Sequence, residues 1–315
     1  MIAMPTMLRV HRTTWLADRV TQVELRDPDG KPLPGWEPGA HLSLHLPNGL
    51  VREYSLCGDP ADTHTWTVAV LREESSRGGS AWVHERLTAG SVLPVEGPRN
   101  TFELHDAPQH LLVAGGIGVT PILAMARKLA GGSVPWSMLY CGRSRGGMAF
   151  LDELSGLAGD RLEVHADDER GGPPDLAARL AGLAPGTVVH CCGPEPLIRA
   201  VEAAMPETAT LRVERFRAPE TPAPAPGTGF DVVCAGSGTR VSVAAGESIV
   251  DALGRTGISV PTSCREGVCG TCETKVLAGE PDHRDFVLDD DEKANSGTMM
   301  LCVSRCRSAE LVLDL

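Results

Sequence analysis

The chain has 315 residues, 42% of them hydrophobic and 22% charged, with 41 acids against 29 lysines and arginines and a formal charge of −12. That length suits two or three domains, the negative charge argues against a nucleic-acid binder, and no run of about 18 apolar residues offers a membrane span. Met1-Ile-Ala-Met-Pro lacks the basic stretch and apolar core of a secretion signal, so the ten cysteines are expected in a reducing, cytoplasmic setting.

Residues 1–105 read as β structure. Val20-Thr-Gln-Val-Glu-Leu, His41-Leu-Ser-Leu-His-Leu and Thr65-Trp-Thr-Val-Ala-Val alternate in hydropathy, and Asp27-Pro-Asp-Gly, Pro34-Gly, Pro47-Asn-Gly and Gly97-Pro punctuate them. Many short strands predict an antiparallel barrel or sandwich. Arg52-Glu-Tyr54-Ser55 places one of only two tyrosines between a cation and a small hydroxyl at a strand end. A flavin asks for that set: an aromatic surface, a partner for its phosphate and a small polar group near its reactive nitrogen. Arg77-Gly78-Gly79-Ser80 precedes a short helix, with Ser80 expected as its N-cap. Glycines there leave backbone N–H groups open to an anion. An ordinary strand-to-helix turn has the same composition.

Residues 106–220 alternate strand and helix. His110-Leu-Leu-Val-Ala114 is a continuous apolar run of the kind found in buried parallel strands. It enters Gly115-Gly116-Ile-Gly118-Val-Thr120-Pro121 and then a helical segment, with Thr120 expected as N-cap and Pro121 at the first helical position. Such a turn admits a pyrophosphate to the backbone and the helix N-terminus. The next strand, Trp136-Ser-Met-Leu-Tyr140-Cys, ends at Arg143 and Arg145, placed either to meet the adenosine part of a dinucleotide or to line a solvated loop. A third strand, Thr187-Val-Val-His-Cys-Cys192, runs into Gly193-Pro194. That puts a thiol and bare backbone at the edge where open α/β sheets bind ligands, although buried structural thiols are also common.

Residues 221–228 form a proline-rich linker expected to be extended. Residues 229–315 carry 14 acids and 8 basic residues, an acidic surface that either steers a basic partner or serves solubility. Strands at Asp231-Val-Val-Cys and Arg240-Val-Ser-Val, then a helix at Ser248-Ile-Val-Asp-Ala-Leu-Gly254, lead to Cys264-Arg-Glu-Gly267-Val-Cys269-Gly270-Thr-Cys272. Cys302 follows after 29 residues. This C-x4-C-x2-C…C spacing is the plant-type [2Fe–2S] ligand pattern. Gly267 and Gly270 suit a loop that must wrap a small cluster. A zinc site would pair C-x2-C with a second such pair or with histidines, and neither is present. Strand, strand, helix and cluster loop predict a β-grasp ferredoxin.

Taken in order, Arg52-x-Tyr54-Ser55, Gly78-Gly79-Ser80, Gly115-Gly-x-Gly-x-Thr-Pro121, Cys192-Gly-Pro and the cysteine pattern resemble the phthalate dioxygenase reductase and vanillate demethylase reductase family. Asp282-His-Arg-Asp285, Asp289-Asp-Asp-Glu-Lys and Cys302-Val-Ser-Arg305 are similar to it as well. The resemblance implies FMN, NADH and a [2Fe–2S] cluster in three domains: a flavin barrel over 1–105, a Rossmann-like nucleotide domain over 106–220 and a ferredoxin over 229–315. By resemblance FMN would lie against Arg52, Tyr54, Ser55, Ala69, Val70, Leu71, Gly78, Gly79, Ser80 and Thr120. The dinucleotide would lie against Gly116, Gly118, Pro121, Cys192, Gly193 and Pro194, with Arg143 as a further candidate. Thr120, Cys192 and Phe216 would border the contact of nicotinamide and flavin, and Glu214 and Phe216 would return toward the flavin. Cys264, Cys269, Cys272 and Cys302 would hold the cluster, leaving Cys306 a bystander. No acid or base residue is required.

A hydride donor gives two electrons together and the cluster takes one, so the flavin belongs between them. The acceptor implied is a terminal oxygenase, either a Rieske non-haem iron enzyme of aromatic catabolism or a cytochrome P450, and the carrier is expected to be a monomer. A redox-sensing module and an FAD-dependent variant are the rival readings, and NADPH is the rival donor.

Overall fold

The computed structural model describes residues 5–74, 78–219 and 228–315. Arg77 and all of the expected linker except Thr228 lie outside the described residues. Packing divides the chain into two compact units, with the boundary between Glu214 and Arg215.

The first unit contains two sheets. β1 (Thr6–Ala17), β2 (Val20–Arg26), β3 (Ala40–His45), β4 (Val51–Ser55), β5 (Trp66–Leu71) and β6 (Val92–Asn100) pair antiparallel in the order β4-β3-β6-β1-β2-β5. The outer strands meet through a bridge between Leu56 and Val68, extended by the bond from Cys57 N–H to the Thr67 carbonyl at 2.9 Å. The sheet therefore closes into a barrel, which removes its free edges. Alternation sends Leu8, Val10, Val23, Leu25, Leu42, Leu44 and Trp66 into its interior. Trp66 also finds a partner for its ring N–H in the Pro34 carbonyl at 3.2 Å.

Helix α1 (Gly79–Arg86) follows β5. Its cap is Gly78 at φ 96°, not Ser80 as expected. Glycine takes that left-handed conformation without a Cβ clash, so the helix starts earlier. Ser80 becomes a first-turn residue whose hydroxyl accepts the Glu73 N–H at 3.2 Å.

The second sheet is built from β7 (Gln109–Gly115), α2 (Val119–Ala130), β8 (Trp136–Gly142), α3 (Leu151–Ala158), β9 (Leu162–Ala166), α4 (Asp167–Arg170), α5 (Leu176–Leu180), β10 (Thr187–Cys192), α6 (Glu195–Ala204) and β11 (Thr210–Glu214). Its strands are parallel, ordered β11-β10-β7-β8-β9. The chain leaves β7 toward β8 and later returns on the other side at β10, so the topological switch lies between β7 and β10. β9 and β11 escape the sequence reading because they are half-buried edge strands without an apolar run.

At α2 a tight turn over Gly116–Gly118 runs straight into the helix, and Gly118 is the cap rather than Thr120. Thr120 sits in the first turn and its hydroxyl donates to the Ile117 carbonyl at 3.0 Å. Pro121 is tolerated in that turn because the first N–H groups of a helix have no partner inside it.

The second unit holds β12 (Phe230–Cys234), β13 (Arg240–Val243), α7 (Ile249–Arg255), β14 (Glu273–Ala278), β15 (Pro281–Asp282), α8 (Asp290–Asn295), β16 (Thr298–Met300), β17 (Arg305–Cys306) and β18 (Glu310–Leu313). The mixed sheet β13-β12-β18-β14-β16, with β12 and β18 parallel at its centre and α7 packed on it, is the expected β-grasp. Ser248 caps α7 by accepting the Asp251 N–H at 3.1 Å. The helix passes through Gly254, expected to end it, and stops before Gly257 at φ 82°. Part of the acidic run serves the fold. Asp289 accepts the Glu292 N–H, and Glu292 accepts the Asp289 N–H, each at 2.8 Å, closing a capping box on α8.

Two buried histidines cross between β7 and β10. The His110 and His190 rings lie 5.6 Å apart, with Phe102 edge-on to His190 at 5.7 Å. His190 Nε2 donates to the Glu103 carbonyl at 3.3 Å, and Nδ1 of each ring has no partner. Burial, reinforced by His110, holds the His190 imidazole down at about 3. The unfolded chain takes up this proton below 6.5, the ordinary histidine value, and the folded one does not. Stability is thus intact above that pH and is lost as pH falls toward 3, at up to about 1.4 kcal/mol per pH unit for each proton. His190→Leu should show a smaller drop in Tm between about pH 7 and pH 5 than the parent. Equal drops in circular-dichroism melts would show that His190 takes no part.

Candidate functional site

The barrel ends in a polar edge along β4. Tyr54 lies against the barrel core, and Arg52, two residues earlier, points the same way. The Arg52 side chain crosses Gly79 so closely that a Cβ there would stand 2.6 Å from its Nε. Guanidinium and helix start are therefore side by side. The N–H groups of α1 and the Arg52 cation form one cradle for an anion, and glycine is what lets them meet. A terminal phosphate fits that cradle. On β5, the Val70 carbonyl is held by His84 Nε2 at 2.8 Å, and His84 Nδ1 meets the Thr21 hydroxyl at 3.3 Å. Ala69 and Val70 are buried and Leu71 is half-buried.

At the switch between β7 and β10 the backbone is bare. A Cβ on Gly118 would lie 2.3 Å from the Cys192 carbonyl oxygen, and one on Gly193 would lie 2.9 Å from Gly115 Cα. Gly116, at φ 52°, has nothing within 4 Å of its Cβ position. The two strand ends are thus pressed together while the turn above Gly116 stays open. The Tyr140 hydroxyl, buried in the sheet, donates toward the Ala149 carbonyl at 3.1 Å and the Gly116 carbonyl at 3.2 Å, fixing that turn. Sequence reasoning used Tyr140 only to mark a strand. Pro194 is extended and leads into α6.

Three segments meet at one carboxyl group. Glu214 ends β11 beside Cys192 in the sheet register. Ser55 Oγ donates to Glu214 Oε2 at 3.4 Å, and Cys192 Sγ approaches the same oxygen at 3.9 Å. Burial pushes the Glu214 carboxyl up to about 8, against the pull of Ser55 and Cys192. Burial, with Glu214 nearby, also pushes the Cys192 thiol well up. Both groups are therefore uncharged at neutral pH. Thr120 is buried in the α2 turn. Phe216 is 43% exposed and belongs to the second unit.

At the far end of the parallel sheet Arg143 is exposed, and Arg145 is held by Glu169 at 2.8 Å. Asp167 and Asp168 open α4 beside them, and Asp168 N–H donates to the Arg143 carbonyl at 3.1 Å.

In the second unit the loop from Pro261 to Cys272 turns through left-handed positions at Arg265 (φ 58°), Gly267 (φ 72°) and Gly270 (φ 71°). A Cβ on Gly267 would strike Val303 Cγ2 at 2.7 Å. The thiols of Cys264, Cys269, Cys272 and Cys302 are near enough to shift one another's acidity: Cys269 and Cys302 hold the Cys264 thiol well down, Cys302 holds Cys272 down, and Cys264 and Cys272 push Cys302 up. Among the described residues no three His, Cys, Asp or Glu side chains are placed to hold a single ion.

The surroundings fit an electron-rich group there. Glu266 N–H points at Cys264 Sγ at 3.3 Å, and the Ser263 hydroxyl beside it is buried without a partner. Asp285 buttresses the loop from behind. It accepts the N–H groups of Val287 and Leu288 at 3.2 and 2.9 Å, and Phe286 N–H reaches the Gly267 carbonyl at 2.9 Å. Cys306 bonds instead with the Ser308 hydroxyl at 3.1 Å and the Glu310 carbonyl at 3.6 Å.

Residues 232–307 match the model of the 2Fe-2S iron-sulfur cluster binding domain. The chain is 46% identical over 314 residues to phenoxybenzoate dioxygenase subunit beta of Ectopseudomonas oleovorans, covering 99% of this chain and 98% of that one. It is 38% identical to the solved phthalate dioxygenase reductase, a modular structure for electron transfer from pyridine nucleotides to [2Fe–2S], with a TM-score of 0.69 over 99% of this chain and 98% of that one. The chain belongs to the phthalate dioxygenase reductase family. It is an electron-transferring oxidoreductase, an oxygenase reductase, and like that family it works with NADH, FMN and a [2Fe–2S] cluster. It is also 42% identical to an intact type IV self-sufficient cytochrome P450 monooxygenase, with a TM-score of 0.93 over 99% of this chain. It spans only 41% of that larger chain.

Cys272→Ser should abolish the reduced-state EPR signal of the cluster and cytochrome c reduction, while NADH still bleaches the flavin at the parental rate. Cys306→Ser should change none of the three. Loss of the EPR signal in Cys306→Ser, or of flavin bleaching in a folded Cys272→Ser, would overturn this assignment.

Proposed function

We propose that this chain draws electrons from NADH and passes them singly to a Rieske non-haem iron oxygenase that acts on an aromatic compound. The observation that carries the reading is the meeting of barrel and parallel sheet at Ser55, Glu214 and Cys192. It brings the candidate flavin strand and the candidate nucleotide crevice to one point. The chain divides as a flavin domain over 1–105, a nucleotide domain over 106–220, a linker over 221–228 and a cluster domain over 229–315.

Arg52 and the N–H groups at Gly78, Gly79 and Ser80 hold the flavin phosphate. Tyr54, Ser55, Thr120 and the Ala69-Val70-Leu71 strand would hold its ring system. Gly116, Gly118 and Pro121 receive the dinucleotide phosphates, and Cys192, Gly193 and Pro194 line the nicotinamide end. Thr120 and Cys192 would border the place where the two rings meet. When bound, FMN takes two electrons together and releases them one at a time, which matches a hydride donor to a one-electron cluster. The residues around this point keep it uncharged. Cys192 stays a thiol and Glu214 stays protonated.

The acids at the end of β9 support NADH over NADPH. Glu169 already engages Arg145, and Asp167 and Asp168 would repel a 2′-phosphate while accepting a ribose hydroxyl. The likeness to a self-sufficient P450 supports a second reading, in which the acceptor is a haem monooxygenase. The carrier acts as a monomer in the cytoplasm.

Above about pH 8 Glu214 would carry a charge beside the point where electrons arrive, and that disfavours their arrival. Stopped-flow flavin reduction by NADH should slow through that pH in the parent and stay level in Glu214→Gln. A level parental profile would remove Glu214 from the site.

Reconstitution tests the function as a whole. With NADH, the chain should support turnover of the Rieske oxygenase encoded beside it. Turnover with a P450 alone would favour the second reading, and turnover with neither would overturn both.

A further inference from the structure

Helix α2 carries the Gly116–Thr120 turn at its start and Arg127 in its last turn. The Arg127 side chain reaches out of the parallel-sheet half of the unit. Its Nη1 donates to the carbonyls of Cys57 and Gly58, the latter at 2.5 Å. Its Nε donates to Glu153 Oε1 on α3 at 2.9 Å, and Nη2 reaches the same oxygen. Cys57 and Gly58 are the residues just past Ser55, where the barrel closes on β5. That segment has no slack, because a Cβ on Gly58 would lie 3.1 Å from Thr67. One planar guanidinium, 22% exposed, therefore ties the segment just past Ser55 to α2, which starts at the crevice, and to its neighbour α3.

We propose that Arg127 is a positioning residue for hydride transfer: it locks the Ser55 strand end to α2, so that the faces offered to flavin and nicotinamide keep a fixed separation. The proposal rests on the site placement given under Proposed function. The physical reason is the shape of the contact between the two halves. α2 meets the barrel mainly through small and aliphatic side chains, with Ala124 inside the barrel core. Apolar packing resists separation but sets no register along the contact, because it is non-directional. The guanidinium fork does set one, because its donors lie in fixed directions in one plane. The lock sits two helical turns from Thr120 and two residues from Ser55, so a slip at Arg127 is delivered to both faces. Misplacement of about 1 Å far from the chemistry can cost on the order of a hundredfold in rate.

The test uses Arg127→Met in the full chain with its cofactors. The tetrahydro form of NAD stacks on a flavin but has no hydride to give. It should raise a long-wavelength charge-transfer band in the parent. In Arg127→Met the flavin content and the affinity for this analogue should match the parent, while the band falls by half or more. First-order flavin reduction by saturating NADH should fall about tenfold or more. Reduction of cytochrome c after photochemical reduction of the flavin should be unchanged. A band and a rate within about twofold of the parent would overturn the proposal. So would loss of flavin or of analogue binding, which would make Arg127 an element of folding or affinity. A parent that gives no band would overturn the site placement, and the proposal with it.

Discussion

A buried carboxyl held by a serine hydroxyl and a thiol is the constraint that orders the first unit. An ionised carboxylate cannot be held there cheaply, because two weak donors do not replace water. Glu214 therefore keeps its proton at neutral pH. Its position is also fixed from three sides: by the β11 ladder, by Cys192 on β10 and by Ser55 at the end of β4. Neither the barrel nor the parallel sheet supplies this arrangement alone. The glycines nearby act in the same sense, since Gly118 and Gly193 let two strand ends approach to distances that any side chain would prevent.

The second unit faces the opposite problem. Its loop must hold four thiolates close together, an arrangement that is unfavourable until a positive group sits among them. The chain prepares for this with backbone. Two glycines and Arg265 take left-handed conformations, and Asp285 anchors the loop from behind through two N–H bonds. The non-glycine Arg265 bears a steric cost there, and its side chain pairs with Asp251 at 2.9 Å. The orphaned Ser263 hydroxyl is the clearest mark of a missing acceptor, since buried hydroxyls normally find a partner.

Much of this was legible in the sequence, and the reason is covalent. Cysteine spacing, glycine placement and strand alternation are local properties, so the cluster loop, the barrel strands β2, β3 and β5 and the β7-to-α2 turn could be read directly. The helix caps were misplaced at Ser80 and Thr120 because composition cannot tell where the backbone turns into the helix: Gly78 does so in a left-handed conformation, and at α2 the turn over Gly116–Gly118 runs into the helix before Thr120 is reached. β9 and β11 were missed because edge strands need no apolar run. Arg127 and Tyr140 carried no local signal at all. Each acts on a carbonyl far away in sequence, Cys57 in one case and Gly116 in the other, and such contacts exist only once the chain has folded. Glu214 was noticed through family resemblance, but its protonation is a property of burial.

Charge in the first unit follows the chemistry proposed for it. Cations and helix starts gather where phosphates are expected, at Arg52 and at the Gly116–Gly118 turn, and acids gather at α4 where a ribose is expected. Between these ends the side chains are neutral: Tyr54, Ser55, Thr120, the Cys192 thiol and the protonated Glu214. A fixed charge at the centre would favour one redox state of the bound pair over the other, and in a low-dielectric setting the bias would be large. Charged ends orient the two ligands without adding such a bias, because their fields act on groups that do not change charge. The arrangement separates binding from electron transfer, and that separation is what a carrier needs if it is to accept electrons from one partner and release them to another.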